Sequence, residues 1–339
     1  MLKPIIYALL AALFYAVNIP LSKVLLAQAS PAMMAALLYL GAGLGIGIFY
    51  IAAGKKTPQE KLSRQDLPYT AGMVLLDIAA PILLMFGISM GSSSNASLLG
   101  NFEIAATTLI ALFIFKEKVS WRLWAGIALI SIASAVLTFE GADSLRFSLG
   151  SVFVLLAASC WGLENNCTRK ISSKNTYQIV MVKGIFSGLG SLSIAFFMKE
   201  SLPGFDCIAY SMMLGFVSYG LSIFMYVRAQ NWLGAAKTSA YYSAAPFMGA
   251  FLAFAFLGEK LSAGYAAALI IMLCGTAFVI ADTLVSRHEH KHRHLITHSH
   301  GGVKHTHYVE HSHPHDHYLD DSKHRHAHSE QELSLFHSH

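Results

Sequence analysis

Ten apolar stretches of about twenty residues each, separated by short loops, follow one another over the first 285 positions. They predict membrane spans near residues 4–26, 32–53, 69–88, 96–115, 121–139, 150–168, 179–198, 208–227, 238–257 and 263–285. A helix of about 20 apolar residues crosses ~30 Å of hydrocarbon. Helices are the economical choice there, because each segment satisfies its own backbone N–H and C=O groups. Only 13% of the residues are charged, against about 25% in soluble domains. So few charges cannot cover a soluble body of this size. The first run follows Lys3 like a leader peptide, but it is too long for a leader core and contains Asn18 and Pro20. It reads as the first span. No soluble domain interrupts the series.

The loop charges give a direction. Lys3, Lys55, Lys56, Lys61, Arg64, Lys116, Lys118, Arg122, Arg169, Lys170, Lys174, Arg228 and Lys237 fall on one side, and Arg146, Lys199 and Lys260 on the other. Thirteen basic residues against three places the first group in the cytoplasm by the positive-inside rule. An even number of spans then puts both termini there.

The chain also repeats itself. Residues Ala111 to Ala135 overlay Ala253 to Ala277 at a constant offset, so that Glu117-Lys118-x-Ser120 meets Glu259-Lys260-x-Ser262. More weakly, Phe14-Tyr15-Ala16 meets Cys160-Trp161-Gly162, and Ser22-Lys23 meets Thr168-Arg169. Repeats of five spans, 1–139 and 140–285, must enter the membrane in opposite senses. Inverted repeats place a solute site near the midplane, between halves that rock.

An ionisable side chain at membrane depth is a functional candidate by default. Asp77, Glu103, Glu164 and Lys183 qualify. Glu103 and Asp77 are candidate proton- or cation-sensitive carboxylates on a solute path, or else structural carboxylates. Glu164 and Lys183 are candidates for an ion pair, read as a structural pair or an interfacial snorkel ahead of a solute contact. Lys23 and Arg169, near helix ends, read as snorkelling residues, with a gate role open for Lys23. Asn18, Asn101, Asn165, Asn166, Tyr219, Tyr226, Tyr241, Tyr242 and Ser243 supply polar anchors or interhelical glue, with Asn18 and Asn101 the strongest pocket candidates. Trp161 could wall a cavity or simply pack. Gly41, Gly43, Gly45 and Gly47, and Gly184, Gly188 and Gly190, read as close helix contacts. The four cysteines, Cys160, Cys167, Cys207 and Cys274, read as small buried hydrophobes.

All 17 histidines follow residue 287. The tail, 286–339, is polar and has no apolar period, so no fixed structure is expected of it. His-x-His steps recur at His288, His290, His292 and His294, at His298 and His300, and at His311, His313, His315 and His317. Imidazoles at this density suit Zn, Ni, Co or Cu.

Two passages carry a family resemblance. Asn95-Ala-Ser-Leu-Leu-Gly-Asn-Phe-Glu103 leads into Phe115-Lys-Glu-Lys-Val-Ser-Trp121, and Ser243-Ala-Ala-Pro-Phe247 leads into Phe256-Leu-Gly-Glu-Lys-Leu-Ser262. With Cys160-Trp-Gly-Leu-Glu-Asn-Asn-Cys-Thr-Arg-Lys170, residues 1–285 resemble the EamA-type branch of the drug/metabolite transporter superfamily. The resemblance implies an all-α membrane protein of ten helices in two inverted five-helix repeats. It also implies an inner-membrane carrier that exports or exchanges a small solute without ATP. The family often has proline directly after the glutamate of the fourth span; here Ile104 follows Glu103, and only Pro246 keeps a proline in the second half.

Two functions compete. One is a carrier of a small organic solute: an amino acid, metabolite or drug-like compound. The other is a divalent-metal carrier with the tail as cytoplasmic buffer or sensor. The spans contain no histidine, which favours the organic solute. No nucleotide loop or nucleophile constellation suggests an enzyme, and no cofactor is required. The expected partners are lipid, the solute and H⁺ as coupling ion, with no nucleic acid, and the carrier is a monomer or homodimer.

Overall fold

The computed structural model describes residues 2–52, 59–115, 120–140, 146–259, 261–283, 285–300 and 303–318. Lys55, Lys56, Lys116, Glu117, Lys118, Lys260 and the histidines from His324 onward lie outside the described residues, as do the side chains of the earlier tail histidines. The body, Met1–Ile280, is one compact unit. Among the described residues seven helices are long and apolar enough to cross a membrane: Lys3–Leu25, Pro31–Ala52, Arg64–Met90, Trp121–Thr138, Thr176–Phe197, Phe205–Ala229 and Ala263–Asp282. Ala245–Leu257 is a shorter apolar helix.

In detail the order is α1 (Leu2–Ala16), α2 (Asn18–Leu25), α3 (Pro31–Ala52), α4 (Leu67–Met90), α5 (Ser93–Leu99), α6 (Phe102–Phe115) and α7 (Trp121–Thr138). A short ladder pairs β1 (Phe139–Glu140) with β2 (Arg146–Phe147). Then come α8 (Leu149–Ile171), α9 (Thr176–Phe197), α10 (Phe205–Gly215), a π-helical stretch (Phe216–Leu221), α11 (Ser222–Tyr242), α12 (Ala245–Leu257) and α13 (Ala263–Thr283). The expected first and fourth spans are each two helices, broken at Val17 and at Gly100–Asn101. The expected loop 228–237 is helical and lies within α11. That segment holds no proline to stop a helix, and its single Gly234 costs only ~1 kcal/mol against alanine.

The packing is inverted relative to a soluble protein. Ala8, Ala11, Ala12, Ala32, Ala35 and Ala36 are fully buried. Ile48, Phe197, Phe205 and Phe256 point outward, the last three at least 78% exposed. Lipid is as apolar as leucine, so helices gain by close van der Waals approach through small residues instead. Gly43 and Gly184 illustrate this: a Cβ on Gly184 would meet Gly43 N at 2.3 Å. The α3–α9 contact therefore requires glycine on both sides. Gly41, Gly45 and Gly188 are similarly crowded, whereas a Cβ on Gly47 would find ordinary van der Waals contact at 3.7 Å. All four cysteines are free thiols, but only Cys207 is buried and Cys274 is exposed, so the buried expectation fails for Cys274.

One end of the bundle is clamped by charged side chains on helix termini. Lys23 Nζ donates to the carbonyls of Ile88 and Gly91, 2.7 Å each. These are at the C-terminus of α4, where the helix dipole favours a cation. Lys23 is thus a cap and not a free snorkelling residue. Glu200 accepts from the backbone N–H of Ala32 and Met33 at the start of α3, at 3.3 and 2.7 Å. Glu259 accepts from Ser93 and Ser94 N–H at 2.7 and 2.9 Å. These carboxylates satisfy orphan donors of a helix start.

The tail departs from expectation. Val285–His300 and Val303–Tyr318 form an antiparallel ribbon, β3 and β4. The His-x-His spacing, without value to a helix, matches the two-residue period of a strand. His288, His290 and His292 stand in register with His315, His313 and His311.

Candidate functional site

Two of the expected spans, the fourth and the sixth, carry several of the polar groups. The fourth expected span is cut into α5 and α6, and α8 is diluted by Glu164, Asn165 and Asn166. Between them lies a connected polar centre.

Its firmest part is an ion triad. Lys183 Nζ on α9 stands 2.9 Å from Glu164 Oε1 on α8 and 3.1 Å from Asp77 Oδ2 on α4. All three are buried. Thr168 Oγ1 also donates to Glu164, and Tyr39 Oη on α3 donates to Asp77 Oδ1 at 2.9 Å. The expected Glu164–Lys183 pair is present, and Asp77 joins it. Taking such charges out of water costs several kcal/mol per ion, repaid only when geometry and hydrogen bonds are complete. Here each carboxylate has both the ammonium and a hydroxyl.

Tyrosines extend the centre. The Tyr39 ring lies 4.9 Å from that of Tyr219, which is in the π-helical stretch. Asn18 Nδ2 donates to Tyr219 Oη at 3.0 Å, and Ser22 Oγ donates to Asn18 Oδ1 at 3.1 Å. Tyr15 contacts both Tyr219 and Tyr242 at 5.9 Å, and Tyr226 contacts Tyr242 at 5.0 Å. A π-turn often marks a functional position; this one presents Tyr219 to the broken helix that starts with Asn18.

Glu103 begins a second arm, in the first turn of α6. Asn165 Nδ2 donates to Glu103 Oε1 at 2.6 Å. Because Asn165 follows Glu164 in α8, one turn of that helix ties Glu103 to the triad. Among the described residues no cation forms a salt bridge with Glu103.

The helix breaks meet. A Cβ on Gly249 of α12 would stand 3.0 Å from Ser97 Oγ and 3.2 Å from the Ala16 carbonyl, and one on Gly100 would stand 3.8 Å from Pro246 Cγ. Asn101 sits at the break itself, 1% exposed, and neither of its amide atoms has a hydrogen-bond partner among the described residues. A buried polar group without a partner costs about 1–3 kcal/mol.

The residues singled out in the sequence thus sort themselves. Asn18, Asp77, Glu103, Glu164, Lys183 and Tyr242 join the centre, and Asn101 occupies a break that borders it. Trp161 is half-buried and packs on the apolar core from α8, one turn before Glu164. Tyr241 is half-buried, and among the described residues the ring contacts run through Tyr242. Asn166 donates to the Gly162 carbonyl of its own helix at 2.9 Å. Tyr39 was not singled out. Its signal was there: Tyr39 and Tyr50 are the two hydroxyls of an otherwise apolar, glycine-rich span, and Tyr39, at mid-span, must find a partner inside the protein. Among the described residues no group of three or more His, Cys, Asp or Glu could hold a metal ion.

A bundle of apolar helices, several broken at mid-length around buried ionisable groups, is the architecture of a multi-pass membrane transporter. The EamA-like transporter family matches residues 2–139 and 148–281, and the chain belongs to that family. An uncharacterized transporter of Methanothermobacter thermautotrophicus is 26% identical over 287 residues, covering 78% of this chain and 82% of the relative. One of Clostridium kluyveri is 25% identical over 297 residues, covering 81% and 92%. A solved crystal structure superposes with a TM-score of 0.61 at 14% identity, over 83% of this chain and 96% of the other; this likeness concerns the fold alone.

Proposed function

We propose that the protein is a secondary carrier for a small organic solute, working by alternating access and coupled to protons at Glu103. In this reading ten spans form two inverted five-helix repeats, both termini are cytoplasmic, and the membrane is the inner membrane. The family model's two successive matches support the repeat, and the loop charges support the orientation. The observation that carries the reading is the convergence of broken helices on one polar centre. Breaks at Val17, Gly100–Asn101 and Ser243–Ala244 and the π-turn at Tyr219 bring backbone ends and polar side chains together. Irregular backbone is tolerated at membrane depth only where protein or a polar cavity surrounds it. Glu103 is the coupling group on this reading because Asp77 and Glu164 already share Lys183.

The test is flux into proteoliposomes with the purified full chain, screened over amino acids, amines and organic acids with and without a pH gradient. At least one solute is expected to move faster under the gradient, and Glu103→Gln is expected to lose that dependence. Gradient-independent flux, unchanged by the substitution, would overturn the coupling.

A second role attaches to the tail. Directly opposed strand residues share a face at Cα separations of about 4.5–5.5 Å. The in-register pairs His288–His315, His290–His313 and His292–His311 therefore support a transition-metal-binding ribbon, a cytoplasmic metal store or sensor beside an organic-solute carrier. Zn²⁺ titration of the full chain and of a chain ending at Val285 tests it: metal uptake is expected only with the tail.

A further inference from the structure

The metal-binding reading of the tail leaves open where ions bind and what they do to the ribbon. Resting on that reading, we infer that one face of the ribbon is a row of three discrete transition-metal sites, the first built from His288, His290, His313 and His315, and that the bound metal is what keeps the two strands paired.

The strand register carries the argument. All six histidines of β3 occupy even positions and all six of β4 odd positions. The register pairs even with odd throughout, from Ser286 with His317 to His300 with Val303. Directly opposed residues share a face, and so do residues two apart on one strand. The twelve histidines of the ribbon therefore lie on one face. A register one residue away would divide them between the two faces. The other face has no histidine; it opposes Arg287 to Asp316 and Arg293 to Glu310, pairs of opposite charge that favour this same register. The sequence between the strands is Gly301-Gly302, a composition favoured for two-residue hairpin connections.

Spacing then divides the row into sites. Opposed positions have Cβ atoms ~4.5–5.5 Å apart, and residues two apart on a strand are ~6.6–6.8 Å apart. Two histidines at i and i+4 of a helix, ~5–6 Å apart at Cβ, hold one zinc ion. The opposed pairs of the ribbon match that spacing. The successive pairs His288–His315 and His290–His313 bring four histidine positions together, the number of ligands in a closed zinc site. Next along the row are His292, opposite His311, and His294, opposite Val309. These three histidines make a second site, one ligand short and open to water. Beyond Ile296, His298 stands opposite His305 with His300 two positions on, a third site of the same kind.

Pairing itself needs the metal. A lone two-stranded hairpin is marginally stable at best in water. The face opposite the histidines begins Arg287, Glu289, Lys291, Arg293, so no apolar face is available to be buried. An ion held from both strands supplies the missing link, and its binding free energy becomes folding free energy.

The experiment measures Zn²⁺ binding to the full chain by calorimetry, beside a chain lacking Ser312 and a chain lacking Ser322. Deleting Ser312 keeps all 17 histidines but moves His313, His315 and His317 out of register with their partners. Ser322 lies beyond the end of β4 and is the control. The full chain and the control are expected to bind three ions in the tight phase. The chain lacking Ser312 should lose the four-ligand site, with first-ion affinity reduced at least tenfold. The double variant His290→Gln, His313→Gln should lose the same site and keep the other two. Zn²⁺ should slow tryptic cleavage after Lys291 and Arg293 in the full chain and not in the chain lacking Ser312. Mg²⁺, which takes oxygen ligands, should have no effect. All these changes fall in residues 281–339, a unit separate from the helical body. Tight binding unchanged by loss of Ser312, uptake without fixed stoichiometry, or cleavage indifferent to Zn²⁺ overturns the inference and leaves a metal-binding tail. Zn²⁺ uptake no greater than that of the chain ending at Val285 sinks the tail reading itself, and the inference with it.

Discussion

Lys183 lies between Asp77 and Glu164, 3.1 Å from one carboxylate and 2.9 Å from the other, and so joins α4, α8 and α9 at a single buried point. Removing the ammonium leaves two carboxylates facing one another without water. Lys183→Met is expected to destabilise the protein by about 3–5 kcal/mol, the usual result of breaking a buried pair from one side. Thermal unfolding in detergent checks this. Adding Asp77→Asn to Lys183→Met should restore part of the loss, because it removes one uncompensated charge. An additive double variant would contradict the triad.

The close α3–α9 approach sets a second expectation. A Cβ on Gly184 would lie 2.3 Å from Gly43 N and 2.8 Å from the Tyr39 carbonyl. Gly184→Val should therefore cost at least ~1–3 kcal/mol from overpacking and displace Tyr39, with its bond to Asp77. Gly204→Ala is the control, since a Cβ there meets nothing within 4 Å. Melting temperatures of the two variants should diverge.

Glu259 bridges the start of α5 from beyond the end of α12. Glu259→Gln keeps the shape but removes the charge that complements the helix dipole, a loss of about 0.3–1 kcal/mol. Glu259→Ala also leaves two N–H donors without their acceptor and should cost more, ~0.5–2 kcal/mol as for other lost caps. The ordering Gln milder than Ala, read from thermal unfolding, separates capping from simple packing.

The histidine ribbon should respond to pH as imidazole does. Metal binding needs the neutral ring, and histidine titrates near pH ~6.5. Zn²⁺ affinity of the full chain should therefore fall steeply between about pH 7 and pH 5.5, while the chain ending at Val285 shows no such dependence. Flux of the organic solute should survive the truncation.

Much of the body was legible in the sequence because hydrophobic length is a strong constraint. Asp77, Glu103, Glu164 and Lys183 could be named because an ionisable side chain at membrane depth has few innocent explanations. Their joining was not legible: Asp77 and Lys183 are separated by more than a hundred positions, and nothing local says that α4 and α9 face each other. The breaks at Val17 and Gly100–Asn101 were also hidden. Without a proline after Glu103, only glycine and asparagine mark the place, and both residues are common in intact spans. Tyr39 escaped because a tyrosine in an apolar run reads as packing until its hydroxyl partner is known. The His-x-His period is plain in the sequence and fits a strand, but the polar composition around it offers no apolar face to hold one.

The most direct measurement of the central claim follows protons and solute together. Proteoliposomes holding the purified full chain and a trapped pH dye are given, on one side, a solute that the flux screen selects and that does not cross protein-free vesicles. Proton movement opposite to the solute is expected in the wild-type chain. In Glu103→Gln the proton signal should disappear, while Lys23→Gln, altered at a helix cap, should retain it. Solute flux without proton movement in the wild-type chain, or proton coupling undiminished in Glu103→Gln, would contradict the assignment of Glu103 as the coupling carboxylate.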